Sequence, residues 1–172
     1  MSLPISFDDT PYFKNEYRGD LVITRGVIYY FPHTNVARER GERAKLLGPP
    51  GLDDVLLDYL VTKVKVLTAT TNKPRLRALG LWREGDTSES LQPRLDAYIA
   101  EARKEPPRMM QYEYSLPKPM RFARADIKNV SVRGGLRFDT EYDTHEFYIG
   151  FTRSKALREA LWEGGFLHQS AI

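Results

Sequence analysis

The chain has no cysteine. That one absence excludes disulfides, thiolate metal sites and thiol catalysis together. No uninterrupted apolar run approaches the roughly eighteen residues that a membrane-spanning helix needs. The opening residues, MSLPISFDDT, show neither the basic nor the apolar stretch of a secretory leader. These lacks lead us to expect a cytoplasmic protein, with attachment to a membrane surface as the variant left open. Charge of one sign is also scarce. The 26 basic and 23 acidic residues leave a net charge of +3, too small an excess for strong steering of a polyanion. Nucleic acid is therefore not an expected partner. No phosphate-loop spacing surrounds the glycines, and no G-x-S-x-G elbow is present to build a serine nucleophile.

What is present suits a soluble domain with a proper core: 172 residues, 41% hydrophobic and 28% charged. Its two ends are rich in strand-forming residues. Residues 21–24 and 27–31 form a hairpin, with Gly26 supplying the positive φ of a tight turn. Both of its faces are apolar, so it needs cover on both sides. Pro32 lacks an amide donor and is expected to end the ladder. Residues 12–17 form a weaker strand candidate. In the C-terminal part, Leu136, Phe138 and Thr140 alternate with Arg137, Asp139 and Glu141. After a turn at 142–145, Phe147, Ile149 and Phe151 make the inward row of the next strand. Ile127, Val130 and Val132 give a further apolar set. Thr152 or Ser154 can cap a helix with an inner face of Leu157, Ala160 and Leu161, which Gly164 and Gly165 stop.

The middle is different. Leu52, Val55, Leu56, Tyr59, Leu60 and Val64 fall at helical spacing, behind Asp53 and Asp54 at the positive end of a helix dipole. Leu91, Leu95, Tyr98, Ile99 and Ala102 form a second stripe, with Pro93 suited to a first turn. Pro106 and Pro107 close the segment. The expected organisation is one β-structure from residues 1–33 and 110–172, interrupted by a helical insertion at 34–109. The stripe at 52–64 is expected to meet the barrel wall, the 91–102 helix or another copy of the chain, with the outer face of the 21–31 hairpin as the matching surface.

Gly19, Leu21, Thr24 and Tyr29 approximate a G-x-L-x-x-T-x-x-x-x-Y hairpin, and Asp126, Ile127 and Val130 match a D-I-x-x-V segment. With one helix at the C-terminus, residues 10–32 and 118–167 resemble PH-like superfold domains of the GRAM and bacterial PH-like type. The resemblance implies an α+β fold, a bent, seven-stranded antiparallel β-barrel capped by the C-terminal helix. It also implies a binding module without catalytic residues. The insertion departs from the compact form of that family.

The candidate chemical groups are few. His33, His145 and His168 have no partner at metal-ligand spacing and read as solvated loop residues. The carboxylate pairs Asp8/Asp9, Asp53/Asp54 and Glu141/Asp143 read as a loop or cap, a helix start and an outer strand face. No catalytic residue, cofactor or metal is expected. Two basic clusters are candidate contacts for an anion or lipid head group: Arg38, Arg40, Arg43 and Lys45, and then Lys73, Arg75 and Arg77. The expected function is a non-enzymatic binding or interaction module for a protein or a lipid head group, with a homo-oligomer allowed. The alternatives are a peripheral membrane binder, using the first basic cluster and the 52–64 helix, and a small hydrolase or transferase with a site between insertion and barrel.

Overall fold

A computed structural model describes residues 2–48, 51–68, 71–105 and 116–168. Seven strands form one antiparallel sheet: β1 (Ile5–Tyr12), β2 (Tyr17–Thr24), β3 (Val27–Asn35), β4 (Met120–Ala123), β5 (Lys128–Val132), β6 (Gly135–Asp139) and β7 (Thr144–Tyr148). Their order across the sheet is β4-β3-β2-β1-β7-β6-β5. Between β3 and β4 come α1 (Val36–Leu47), α2 (Leu52–Thr68), α3 (Pro74–Ala78) and α4 (Ser88–Lys104), and α5 (Ser154–Glu163) follows β7. The expected end of the insertion, with Pro106 and Pro107, lies outside the described residues. Among the described residues, no helix is long and apolar enough to cross a membrane.

The two ends share one core because β1 pairs with β7, Tyr12 opposite Phe147. The inner face gathers Phe7, Leu21, Ile23, Ile28 and Tyr30 from the first three strands. It adds Phe122, Leu136, Phe138 and Phe147 from the last four, and Leu157, Leu161 and Phe166 from α5 and its tail. The period-two pattern of β6 and β7 and the four-residue spacing of Leu157 and Leu161 aim these side chains inward. Gly165, at φ 80°, reverses the chain after α5, and Phe166 N donates to Leu161 O at 2.8 Å. The ring thereby folds back into the core.

The expected barrel does not form. β4 and β5 stand at the two ends of the sheet and do not pair. They are consecutive in the chain, joined through the short 3-10 turn Arg124–Asp126, so the curled sheet brings its two edges near each other at one corner. Both edge strands are short, at four and five residues. α5 sends Leu157 and Leu161 into the opening where further pairing would have to occur. The sheet is open, with a helix against the opening.

A second layer covers the outside of the hairpin. Val22, Val27, Tyr29 and Phe31 pack against Leu76, Leu81, Trp82, Leu91, Leu95 and Ile99. α3 and α4 therefore supply the cover that was expected from α2. Tyr29 Oη and Arg121 Nε both donate to Asp96 Oδ1 at 2.8 Å, which fastens α4 to β3 and β4. α4 starts a turn earlier than Pro93 suggests, because Thr87 and Ser90 form a reciprocal cap: Ser90 N donates to Thr87 Oγ1 at 3.3 Å and Thr87 N to Ser90 Oγ at 2.9 Å. The stripe of α2 stays exposed, from Leu52 at 86% to Leu60 at 50%.

Two strands differ from the sequence reading. β1 begins at Ile5 and takes in both Asp8 and Asp9. β3 runs past Pro32 to Asn35, because a register shift between Arg18 and Gly19 absorbs the missing donor. Gly19 is needed there: a Cβ at that position would lie 2.4 Å from the Phe31 carbonyl oxygen.

Candidate functional site

Three places bring chemistry-bearing side chains together. The first is the bulge in β1, where pairing with β2 shifts between Phe7 and Thr10 and Asp9 adopts a positive φ of 50°. Arg75 of α3 donates from Nη2 to Asp9 Oδ1 at 2.5 Å and from Nε to Asp20 Oδ2 at 3.3 Å. His33 Nε2 stands 3.0 Å from Asp9 Oδ1, and Asp9 N donates to Asp20 Oδ1 at 3.3 Å. The neighbouring Asp8 is buried and accepts from Lys73 N at 3.0 Å. The hydrogen bond from His33, with the charge of Arg75 beside it, holds the Asp9 carboxyl well below the usual carboxylate range. Burial pushes the Asp20 carboxyl up, against the pull of Arg75. The two environments are opposed, as in an acid–base pair, but here every carboxylate oxygen of Asp9 and Asp20 that meets Arg75 is spent on joining the insertion to β1 and β2. Among the described residues, no group of three His, Asp or Glu side chains is arranged to hold a metal.

The second place is a trough of about 650 Å³ on the outside of the sheet, between the β1–β2 turn and strands β6 and β7. Phe13, Lys14 and Asn15 take left-handed conformations in succession, at φ 47°, 50° and 64°. Lys14 and Arg133 line it, together with the ion pair between Arg137 Nη1 and Glu146 Oε1 at 3.4 Å. Its floor consists of β6 and β7, which lie inside the sheet and not at its edge.

The third is a groove of about 580 Å³ along the free edge of β5, walled by α5. Val130, Val132, Trp162 and Leu167 make its apolar surface. Arg133, Arg158, Glu159 and Glu163 ring it with charge of both signs. Trp162, 42% exposed, stands on the side of α5 away from the buried Leu157 and Leu161. Among the described residues β5 has one strand partner, β6, so a row of its N–H and C=O groups faces the groove side without a ladder. A shift in the β5–β6 register between Lys128 and Ser131, with Asn129 at φ 54°, bends this edge.

The residues singled out from the sequence are scattered. Arg38, Arg40, Arg43 and Lys45 lie on α1, where Arg38 Nε donates to Glu42 Oε1 at 3.0 Å. Lys73 precedes α3 and holds its ammonium 4.4 Å from the centre of the Trp82 ring. Arg75 is engaged by Asp9 and Asp20, while Arg77 is exposed on the same short helix. Neither basic cluster meets the groove. The histidines divide: His168 is exposed, His33 joins the bulge, and His145 is 8% exposed inside β7. Burial against Phe122, Phe138 and Tyr12 holds the His145 imidazole below its ordinary 6.5. The Tyr12 hydroxyl, pushed up to about 12 by burial, shares a hydrogen bond of 2.9 Å with its Nδ1. Val130, Val132, Trp162 and Leu167 were not recognised as a site in the sequence. The one available signal was a tryptophan placed outside the inner stripe of a short amphipathic helix.

Against known proteins, the chain matches no family model, no curated sequence and no solved structure.

Proposed function

We propose that this protein is a binding module of PH-like kinship that takes an extended peptide segment of a partner protein into the groove between β5 and α5. The carrying observation is the free edge of β5 beside an apolar trough with a half-exposed tryptophan. An extended segment would add a strand to β5 through main-chain hydrogen bonds. Every second side chain would then fall between Val132, Trp162 and Leu167, and the mixed charge at the rim would select its flanks. The outer trough and the Asp9–Asp20–Arg75 bulge support this reading less well, because the trough lies on strands inside the sheet and the carboxylates of the bulge already meet Arg75. Seven strands divided three and four by an insertion, followed by one C-terminal helix, favour the PH-like kinship, whose members are mostly binding modules.

The test is selection of peptides from a random display library on the whole chain. Selected peptides should lose about tenfold or more in affinity against Trp162→Ala, as expected of a tryptophan anchor. N-methylation of alternate backbone amides in the peptide should abolish binding, and methylation of the intervening amides should leave it intact. Peptides that ignore both Trp162→Ala and backbone methylation would overturn the proposal.

A further inference from the structure

The insertion leaves one long helix with most of its apolar stripe exposed. In α2, Leu52, Val55, Leu56, Tyr59, Leu60 and Val64 are each half or more exposed. On a helix of 3.6 residues per turn they spread over an arc of roughly 200°. An apolar surface of this extent on one helix marks an interface. The question is what covers it, and the charges within the arc answer.

Asp53 lies inside the arc near the start of α2, and Lys63 lies inside it near the end. Both side chains are exposed. In the sequence, the three aspartates of α2 precede its two lysines. A bilayer laid against this arc would have to accept Asp53 among its apolar anchors. A second α2 running the opposite way brings the acidic end of each helix onto the basic end of the other. The register that sets Asp53 against Lys63 also sets Leu56 against Leu60 and Leu52 against Val64. One two-fold axis through the middle of the helix satisfies all three pairs, as a self-complementary interface requires. The ammonium of Lys63 lies 5.3 Å from the Tyr59 ring centre and 5.9 Å from that of Tyr148. On the helix surface it falls between Leu52 and Leu56, within the arc and on the stretch that passes β7, and its exposed side chain is free to turn toward a partner's carboxylate.

We propose that α2 is a self-association helix, and that two copies of this chain pair their α2 helices antiparallel, with Leu56 on Leu60 and Asp53 on Lys63. This pairing uses a surface separate from the β5–α5 groove and does not depend on the peptide reading. It resembles an antiparallel coiled-coil seam over a short stretch, with charge fixing the direction.

Sedimentation equilibrium of the whole chain tests it. The parent should approach twice the 19.8 kDa of one chain as concentration rises. Leu60→Glu, at an exposed position that the domain does not need for its core, should weaken association by about tenfold or more. D53K alone and K63D alone should each weaken it, because each sets like charges across the interface twice. Mixing D53K with K63D should restore the dimer, since both cross-pairs then join opposite charges. A parent that stays monomeric at its solubility limit overturns the proposal. So does a dimer indifferent to L60E and to both charge reversals, which would lie on another surface. A monomer that sediments with phosphatidylcholine vesicles, with or without phosphatidylserine, also overturns it and assigns α2 to a membrane surface.

Discussion

Phe147→Ala is expected to loosen both layers of the protein at once. The ring is 2% exposed and sits 4.9 Å from the centres of both Tyr12 and Tyr30, and 6.0 Å from Phe138. Its strand supplies one of the two pairings that join the ends of the chain, β1 with β7, the other being β3 with β4. Truncating a buried phenylalanine costs about 3–5 kcal/mol in transfer and cavity terms, and the loss of three ring neighbours argues for the upper half of that range. With a urea slope of about 2 kcal/mol per molar, the midpoint should fall by about 2 M. The two tryptophans make the assay specific. Trp82 lies in the outer layer under α3 and α4, and Trp162 stands on α5. Each is kept in turn while the other is replaced by phenylalanine, and unfolding is followed by fluorescence. One cooperative unit requires Phe147→Ala to move both transitions by the same amount. If the Trp82 transition stayed in place while the Trp162 transition shifted, the hairpin and its helical cover would be an independent unit, and the reasoning would be wrong.

Arg75→Ala should destabilise by about 2 kcal/mol, because it leaves the buried Asp20 carboxylate without its cation while the half-exposed partner Asp9 stays wet; adding Asp20→Asn should recover part of that loss in a double-mutant cycle. His145 binds protons less readily folded than unfolded, so stability should be fully present above its ordinary 6.5 and fall as pH drops through the depressed folded value; His145→Gln should flatten that part of a urea-midpoint profile against pH. Gly135→Ala should cost about 1–3 kcal/mol by thermal melting, since the new Cβ would fall 2.1 Å from the Phe147 carbonyl oxygen.

The parts of the fold legible in the sequence are those whose burial follows their own pattern. β6, β7 and α5 alternate or repeat plainly enough that Leu136, Phe138, Phe147, Ile149, Leu157 and Leu161 could be named and are all in the core, whereas Phe151, expected in the same inward row, lies past the end of β7 and is exposed. β1 could not be found that way. Its ISFDDTPY carries two carboxylates and a proline, and the buried Asp8 accepts from the Ser6 hydroxyl and from the backbone amide of Lys73, 65 positions away. The stripes of α2 and α4 look alike as patterns. Tertiary bonds from Arg75, Ser88, Gln92 and Asp96, which fasten α3 and α4 to the sheet, decide that α4 is the cover and that the stripe of α2 stays exposed. The barrel failed for a related reason: strand content is local, whereas closure depends on edge lengths and on where α5 comes to rest. The groove is a product of that opening, so no run of residues could announce it. The basic clusters were visible as charge, but whether a cation faces solvent, a ring or a carboxylate is set by neighbours distant in the chain.

The pairing of β1 with β7 also sets a timetable for synthesis. A chain leaving the ribosome presents β1, β2 and β3 first, then the helices that cover the outer side of the hairpin. The inner side must wait. One flank of β1 and the faces of Phe7, Leu21 and Tyr30 stay uncovered until β7 and α5 have emerged in their turn. The half-made domain is therefore a sheet with an open edge and a greasy concave face, the kind of species that sticks to its own copies. Ribosome-bound chains halted before residue 144 should depend on holding chaperones, and that dependence should vanish once α5 has cleared the exit tunnel.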